Sequence, residues 1–171
     1  MRKAKTMSSS TPEALSAAVI TISDSCARGE RQDLSGPAVA EFLSDRDFSV
    51  VGTQTVPDEV EAIQQAIVHW TEQARLVVTT GGTGIGPRDV TPEATRAVCE
   101  RILEGVAERM RGEEAKKTPF AALSRAVCGV RGKALVLNLP GSPNGAVDSL
   151  AAVIDLLPHA FKLLAGETRH D

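Results

Sequence analysis

The chain has no tyrosine, one tryptophan and four phenylalanines, so aromatics make up only 3% of its 171 residues. RNA-binding and single-strand-binding modules stack bases on aromatic platforms, and a chain so poor in them is not built for that task. Excess positive charge is missing as well. With 19 Lys and Arg against 22 Asp and Glu, the formal net charge is −3, which argues against attachment to a phosphate backbone. Cys26, Cys99 and Cys128 are odd in number and form no CxxC pair, which suits a reducing compartment. His69, His159 and His170 lack the spacing of a zinc site and read as surface or packing residues. No apolar run approaches membrane-spanning length. Residues 1–14 carry Arg2, Lys3, Lys5 and a run of serines without the apolar stretch of a secretory signal. They are expected to be a flexible leader to a single domain over residues 15–171, cytoplasmic, with neither membrane nor nucleic acid as partner.

What is present describes a globular protein: 42% hydrophobic residues, 14 Gly and 9 Pro. Ala17 to Thr21, Leu76 to Thr80 and Ala134 to Leu139 are short, nearly continuous apolar runs, and Ser49 to Val56 is rich in β-branched residues. All four read as strands. Between them, Pro37 to Leu43 reads as a helix, and Val60, Ile63, Ile67, Trp70 and Ala74 recur at the steps of a helix face packed on a sheet, which makes Trp70 a core residue. Thr91-Pro92-Glu93 predicts an N-cap, a proline at the first helical position and an early acid. A long helix is expected from Asn144, strained or broken near Pro158, and the charged stretch from Arg109 to Lys117 reads as a solvated loop or helix end. Continuous apolar strands alternating with helices imply an α/β fold with a parallel sheet covered on both faces.

In such sheets ligands bind at the carboxyl ends of the strands, and four loops there stand out. Ile22 to Pro37 carries Ser23 and Asp24. Thr79 to Ala94 holds Gly81, Gly82, Thr83, Gly84 and Asp89 between a buried strand and a capped helix. Glycines of this kind let backbone N–H groups approach a phosphate, and a side chain at Gly82 would block that approach. Asn138 to Ala146 repeats the pattern with Pro140, Gly141, Ser142 and Pro143, so two loops are expected to face one cleft. The fourth loop carries Asp58, for which helix N-capping is the simple explanation.

Neither familiar phosphate motif fits. The dinucleotide pattern GxGxxG would need glycine where Pro87 stands, and at Gly132-Lys133 the Walker pattern fails because Ala134 replaces Ser or Thr. Asp24, Asp58 and Asp89 nevertheless all lie at strand ends beside loops suited to anions. Carboxylates repel phosphates unless a hard cation lies between them, and Mg²⁺ is typically held by one or two carboxylates together with substrate phosphate oxygens. The residues thus point to a Mg²⁺-dependent site for a nucleotide or other phosphorylated small molecule, with Arg88, Arg125 and Lys133 as candidate cationic partners.

At ISD…SGP, VPDE, GGTG…PRDVTPEA, TPFAALSR and LPGSP, in that order from about Ala18 to Gly166, the chain resembles the molybdenum-cofactor biosynthesis family of the MogA and MoaB proteins and the Cnx and gephyrin G domains. The resemblance implies a three-layer α/β sandwich with a mainly parallel sheet, typically a homotrimer. It implies transfer of AMP from ATP to the terminal phosphate of molybdopterin with release of pyrophosphate. By motif match, Asp58 and Asp89 would be the magnesium-linked catalytic acids. Gly81, Gly82, Thr83, Gly84, Pro140, Gly141, Ser142 and Pro143 would hold nucleotide and phosphate, and Ser23, Asp24, Ser124 and Arg125 would line the pterin side. The domains of molybdate-inserting enzymes are lacking, so insertion is expected in a separate protein. A phosphate monoester with its second pKa near 6 is already an ionised nucleophile, so alignment and charge neutralisation suffice without a His or Cys. The alternative from another class is a non-catalytic molybdopterin-binding or scaffold protein of the same family. A hydrolase related to competence-damage proteins of the same fold is a third.

Overall fold

The computed structural model describes residues 15–167; the leader expected over residues 1–14, and His170, lie outside the described residues. Strand β1 (Leu15–Ile22) is followed by a four-residue helix α1 (Asp24–Ala27) and by α2 (Ser35–Ser44). Then β2 (Phe48–Val56) leads into α3 (Val60–Thr71), and β3 (Leu76–Thr80) into α4 (Thr91–Val98). The short β4 (Arg101–Ile102), α5 (Glu104–Ala115) and a 3-10 turn (Pro119–Leu123) precede β5 (Cys128–Arg131) and β6 (Ala134–Leu139). Helices α6 (Pro143–Ala151) and α7 (Leu157–Leu164) complete the described chain.

The six strands form one sheet in the order β2-β1-β3-β6-β5-β4. The first four are mutually parallel, while β5 runs antiparallel to β6 and β4 antiparallel to β5. The expected parallel sheet is therefore mainly parallel, with an antiparallel edge that the sequence pattern did not disclose. Strands of two and four residues are too short to show a period, and the Arg131–Lys133 turn gives only a glycine as its mark.

Alternation along the strands divides the core. Val19, Val78, Leu135 and Leu137 belong to one buried cluster with Leu43, Leu150, Leu157 and Phe161, under α2, α6 and α7. Ile20, Val77 and Val136 belong to the other, with Ile63, Ile67 and Ala94 from α3 and α4. Each such fully buried aliphatic side chain contributes about 1.5–3 kcal/mol, and apolar packing on both faces is why these strands read as continuous apolar runs.

Two expectations need correction, those for Pro158 and Trp70. Pro158 does not strain a long C-terminal helix: α6 ends at Ala151, and Pro158 stands in the first turn of α7, where a missing N–H costs nothing. Of the two readings of the stretch from Arg109, the helix end holds: it supplies the last turns of α5, which buries only Ala107 and Met110 and so shows little periodicity. Trp70 is half-buried rather than central. Its Nε1–H donates to Gln54 Oε1 at 2.9 Å, and its ring lies over Gly52, where any Cβ would collide with it.

Candidate active site

Between β1 and β3 the connections diverge, one to β2 on one side and the other past β6 to β4 at the far edge, the kind of switch point where open sheets bind ligands. A cavity of about 400 Å³ opens there. Its wall includes Ile22 at the end of β1 and Ser23 after it, Asp58 after β2, and Gly81, Gly82 and Asp89 after β3. Gly141, Ser142 and Pro143 after β6 close it, so the two glycine-bearing loops do face one cleft. Ser35 begins α2 and Ser142 caps α6, accepting the Gly145 N–H at 3.2 Å; both line the cavity. Two helix N-termini thus present partial positive charge to it.

The glycine loop is held from all sides. Gly81 (φ 99°) and Gly82 (φ 69°) occupy the left-handed region. A Cβ on Gly81 would collide with the Ile22 carbonyl oxygen, and one on Gly82 with Thr91 Oγ1. These two glycines are required by the fold before any phosphate arrives. Thr91 is not the N-cap: Val90 holds that position without a side-chain bond, while the buried Thr91 hydroxyl donates to Gly81 O at 2.9 Å. Gly84 and Gly86 leave room for the Asp89 carboxylate, a Cβ on either lying 2.9 Å from Asp89 Oδ2. That oxygen accepts the Gly86 N–H at 2.9 Å.

Asp58 caps no helix either. Glu59 stands at the N-cap of α3 without a side-chain cap bond, and Asp58 turns toward the loop after β1. Its Oδ2 accepts the Asp24 N–H at 2.9 Å, while its own N–H donates to Asp24 Oδ1 at 3.0 Å. Burial raises the Asp58 carboxyl above the usual carboxylate range, and the charges of Asp24 and Asp89 add to the rise against the opposing Asp24 N–H bond and Arg88. Asp24 is shifted the other way, lowered first by the Arg88 hydrogen bonds and then by the Asp58 N–H.

The three candidate cations separate. Arg88 Nε and Nη2 donate to Asp24 Oδ2 and Oδ1 at 3.0 and 2.9 Å. Arg125 buckles the glycine loop from outside, donating to Gly84 O at 2.8 Å and Asp89 O at 2.7 Å and pairing with Glu93. Lys133 sits in the β5–β6 turn, at the opposite end of β6 from the site. The basic residue that does line the cavity is Arg31, with Asp33 beside it, and both were passed over in the first loop. Asp33 Oδ2 accepts from Thr21 Oγ1 at 2.6 Å and its Oδ1 from Gly36 N at 3.0 Å, and a Cβ on Gly36 would collide with both Asp33 Oδ2 and Thr21 Oγ1, which explains the glycine of SGP.

Nor do the four residues assigned to the pterin side share one wall. Ser23 lines the main cavity and caps α1, accepting the Cys26 N–H at 3.2 Å; Asp24 faces Arg88. Ser124 lines a second cavity of about 290 Å³, with Thr83, Gly84, Pro140 and Ser142 on one side and Met110, Phe120 and Leu123 on the other. Ser142 belongs to both hollows. The apolar wall came from α5 and the 3-10 turn, whose faint periodicity hid it; the signal available was Phe120 inside TPFAALSR, 75% exposed. His69, on α3, contacts Gln73 and Trp70, and His159 is exposed on α7.

Among the described residues no cluster of three or more His, Cys, Asp or Glu could hold a metal by itself. Asp58 and Asp89 nonetheless fit a hard cation. Both line the cavity, each carboxylate has one oxygen bonded to a backbone N–H, and the charge of Asp89 adds to the rise of the Asp58 carboxyl. Two carboxylates completed by substrate oxygens are the usual complement for Mg²⁺.

These features match known proteins. The family model described as "Probable molybdopterin binding domain" matches residues 18–159. The molybdopterin adenylyltransferase of Helicobacter pylori is 40% identical over 152 residues, covering 86% of each chain. The Drosophila melanogaster molybdenum cofactor synthesis protein cinnamon is 40% identical over 91% of this chain, which spans 26% of that longer protein. The solved molybdopterin biosynthesis enzyme MoaB of Thermus thermophilus superposes with a TM-score of 0.83 at 48% identity, over 89% of this chain and 97% of that one. The chain belongs to this molybdopterin-binding domain family.

Proposed function

We propose that the protein is a molybdopterin adenylyltransferase, transferring AMP from ATP to the terminal phosphate of molybdopterin and releasing pyrophosphate. The observation that carries this reading is one cavity in which Asp58 and Asp89 meet the glycine loop and two helix N-termini. The names of relatives matched along nearly their whole length, such as the Helicobacter pylori enzyme, support it.

In this reading ATP lies in the larger cavity and the pterin against the apolar wall of the smaller one, with Ser142, common to both, beside the reacting phosphates. A phosphate oxygen of molybdopterin attacks the α-phosphorus of ATP, and the bond to the β-phosphate oxygen breaks as pyrophosphate leaves. Asp58 and Asp89 would hold Mg²⁺, which when bound neutralises charge on the phosphates. The chain's own part is alignment: the helix termini favour the anions, and the rigid loops fix the distance between the two hollows. Among the described residues no histidine lines the larger cavity, and Cys26, which does, need not act as a base toward a nucleophile ionised at neutral pH.

Incubation with molybdopterin, ATP and Mg²⁺ should yield adenylylated pterin by mass spectrometry; its absence, with pterin still bound, would favour a binding or scaffold role. A homotrimer belongs to the same reading, and light scattering at micromolar concentration should give three times the chain mass. Among the described residues no helix is long and apolar enough to cross a membrane.

A further inference from the structure

Arg88, Asp24 and Asp58 come from the loops after β3, β1 and β2, and they form one chain of bonds. Arg88 grips both Asp24 oxygens at 2.9 and 3.0 Å, and Asp24 and Asp58 each accept the other's backbone N–H at 2.9 and 3.0 Å. Arg88 is 60% exposed and Asp24 23%. A pair this exposed adds little to stability, so its two-pronged geometry is better accounted for by position than by folding energy. Asp24 does not line the cavity and Asp58 does. Two adjacent carboxylates are thereby given different places: one is paired with a cation outside the site, and the other lines it.

We propose that Arg88 is a positioning residue: by neutralising and aiming Asp24, it holds the Asp24–Asp58 bridge in register and presents the free Asp58 oxygen to the nucleotide's metal. This inference rests on the reading of Asp58 as a metal-linked acid. Arg88 itself touches no phosphate in this arrangement, because its fork is spent on Asp24 and it is not part of the cavity wall. Lysine cannot reproduce a planar, two-pronged grip. The uncharged amide introduced by Asp24→Asn, in contrast, needs no neutralising partner, and its oxygen can still accept the Asp58 N–H.

The experiment compares Arg88→Gln, Arg88→Lys and the double variant Arg88→Gln/Asp24→Asn, with Asp58→Asn as control. Two readouts are taken: calorimetric binding of Mn²⁺·ATP without pterin, and single-turnover AMP transfer. Arg88→Gln should weaken both about 10- to 100-fold, the range seen when a partner that orients a metal ligand is lost. Arg88→Lys should recover little, and adding Asp24→Asn should recover most of the loss. Wild-type values in Arg88→Gln, full rescue by lysine, or a double variant no better than Arg88→Gln would each overturn the proposal, the last two pointing to charge alone or to direct nucleotide contact. If Asp58→Asn is also without effect, the metal reading itself falls; if Asp58→Asn abolishes both signals while Arg88→Gln does not, only the role of Arg88 falls.

Discussion

The two ends of the sheet use glycines of the same backbone type in opposite surroundings. At the carboxyl end, Gly81 and Gly82 take positive φ with the Ile22 carbonyl and the Thr91 hydroxyl where a side chain would go. At the other end, Gly132 (φ 58°) turns β5 into β6 with nothing within 4 Å of a Cβ. One end is several loops pressed together around two carboxylates; the other is a hairpin turn with space around it. Crowding at the carboxyl end is what holds Asp58 and Asp89 at a common cavity, so substitutions there should disturb fold and function together, except where they change charge without changing shape.

The largest effect tests that exception. Asp89→Asn and Asp58→Asn keep an oxygen for the Gly86 and Asp24 N–H groups and so should fold normally. Each should lose on the order of a hundredfold or more in adenylyl transfer, the scale of a removed electrostatic stabiliser. Wild-type turnover in both at saturating ATP and Mg²⁺ would move the non-catalytic reading ahead.

The next effect sets the two ends against each other directly. Gly81→Ala drives a Cβ into backbone that cannot move aside, adding overpacking of about 1–3 kcal/mol to the strain of positive φ. Gly132→Ala meets only the backbone preference, about 1 kcal/mol. Urea unfolding that gave equal losses would break the comparison. Gly82→Val, which on sequence grounds would only impair phosphate approach, should also destabilise the fold, since Thr91 lies in its way.

The smallest effect is a pH dependence of opposite sign at the bridged pair. Because burial raises the Asp58 pKa, the folded protein binds that proton more tightly than the unfolded chain does. Its contribution is present below the unfolded carboxylate range and is lost as pH rises through the raised value. Asp24, lowered by Arg88, contributes above the unfolded range and loses that contribution as pH falls. In chelator, Asp58→Asn should therefore raise the melting temperature at pH 7, with the gain fading as pH falls through the raised Asp58 value and gone below about pH 4. Asp24→Asn should lower it at pH 7, and matching profiles would contradict the assigned asymmetry.

Much of this was legible in order along the chain. The runs AAVIT, LVVTT and ALVLNL show strands packed on both faces, because burial on both sides leaves few polar residues along them, and none charged. Asp58 and Asp89 could be marked as candidates because each follows a strand end beside a turn-forming loop. Partners were not legible. Thr91 beside Pro92 satisfies the local rule for a cap, yet its hydroxyl goes to Gly81, ten residues away. Arg88, Arg125 and Lys133 are equivalent as letters, and the fold gives one to Asp24, one to the glycine loop and one to a distant turn. The apolar wall around Phe120 and the antiparallel edge were hidden because α5 buries few residues and β4 and β5 are short. Periodicity and strand-end position belong to neighbouring residues, so the sequence by itself determined the α/β layering and where the acids would stand. Which charge meets which depends on loops up to 64 residues apart arriving at one edge of the sheet, and only the tertiary structure decided that.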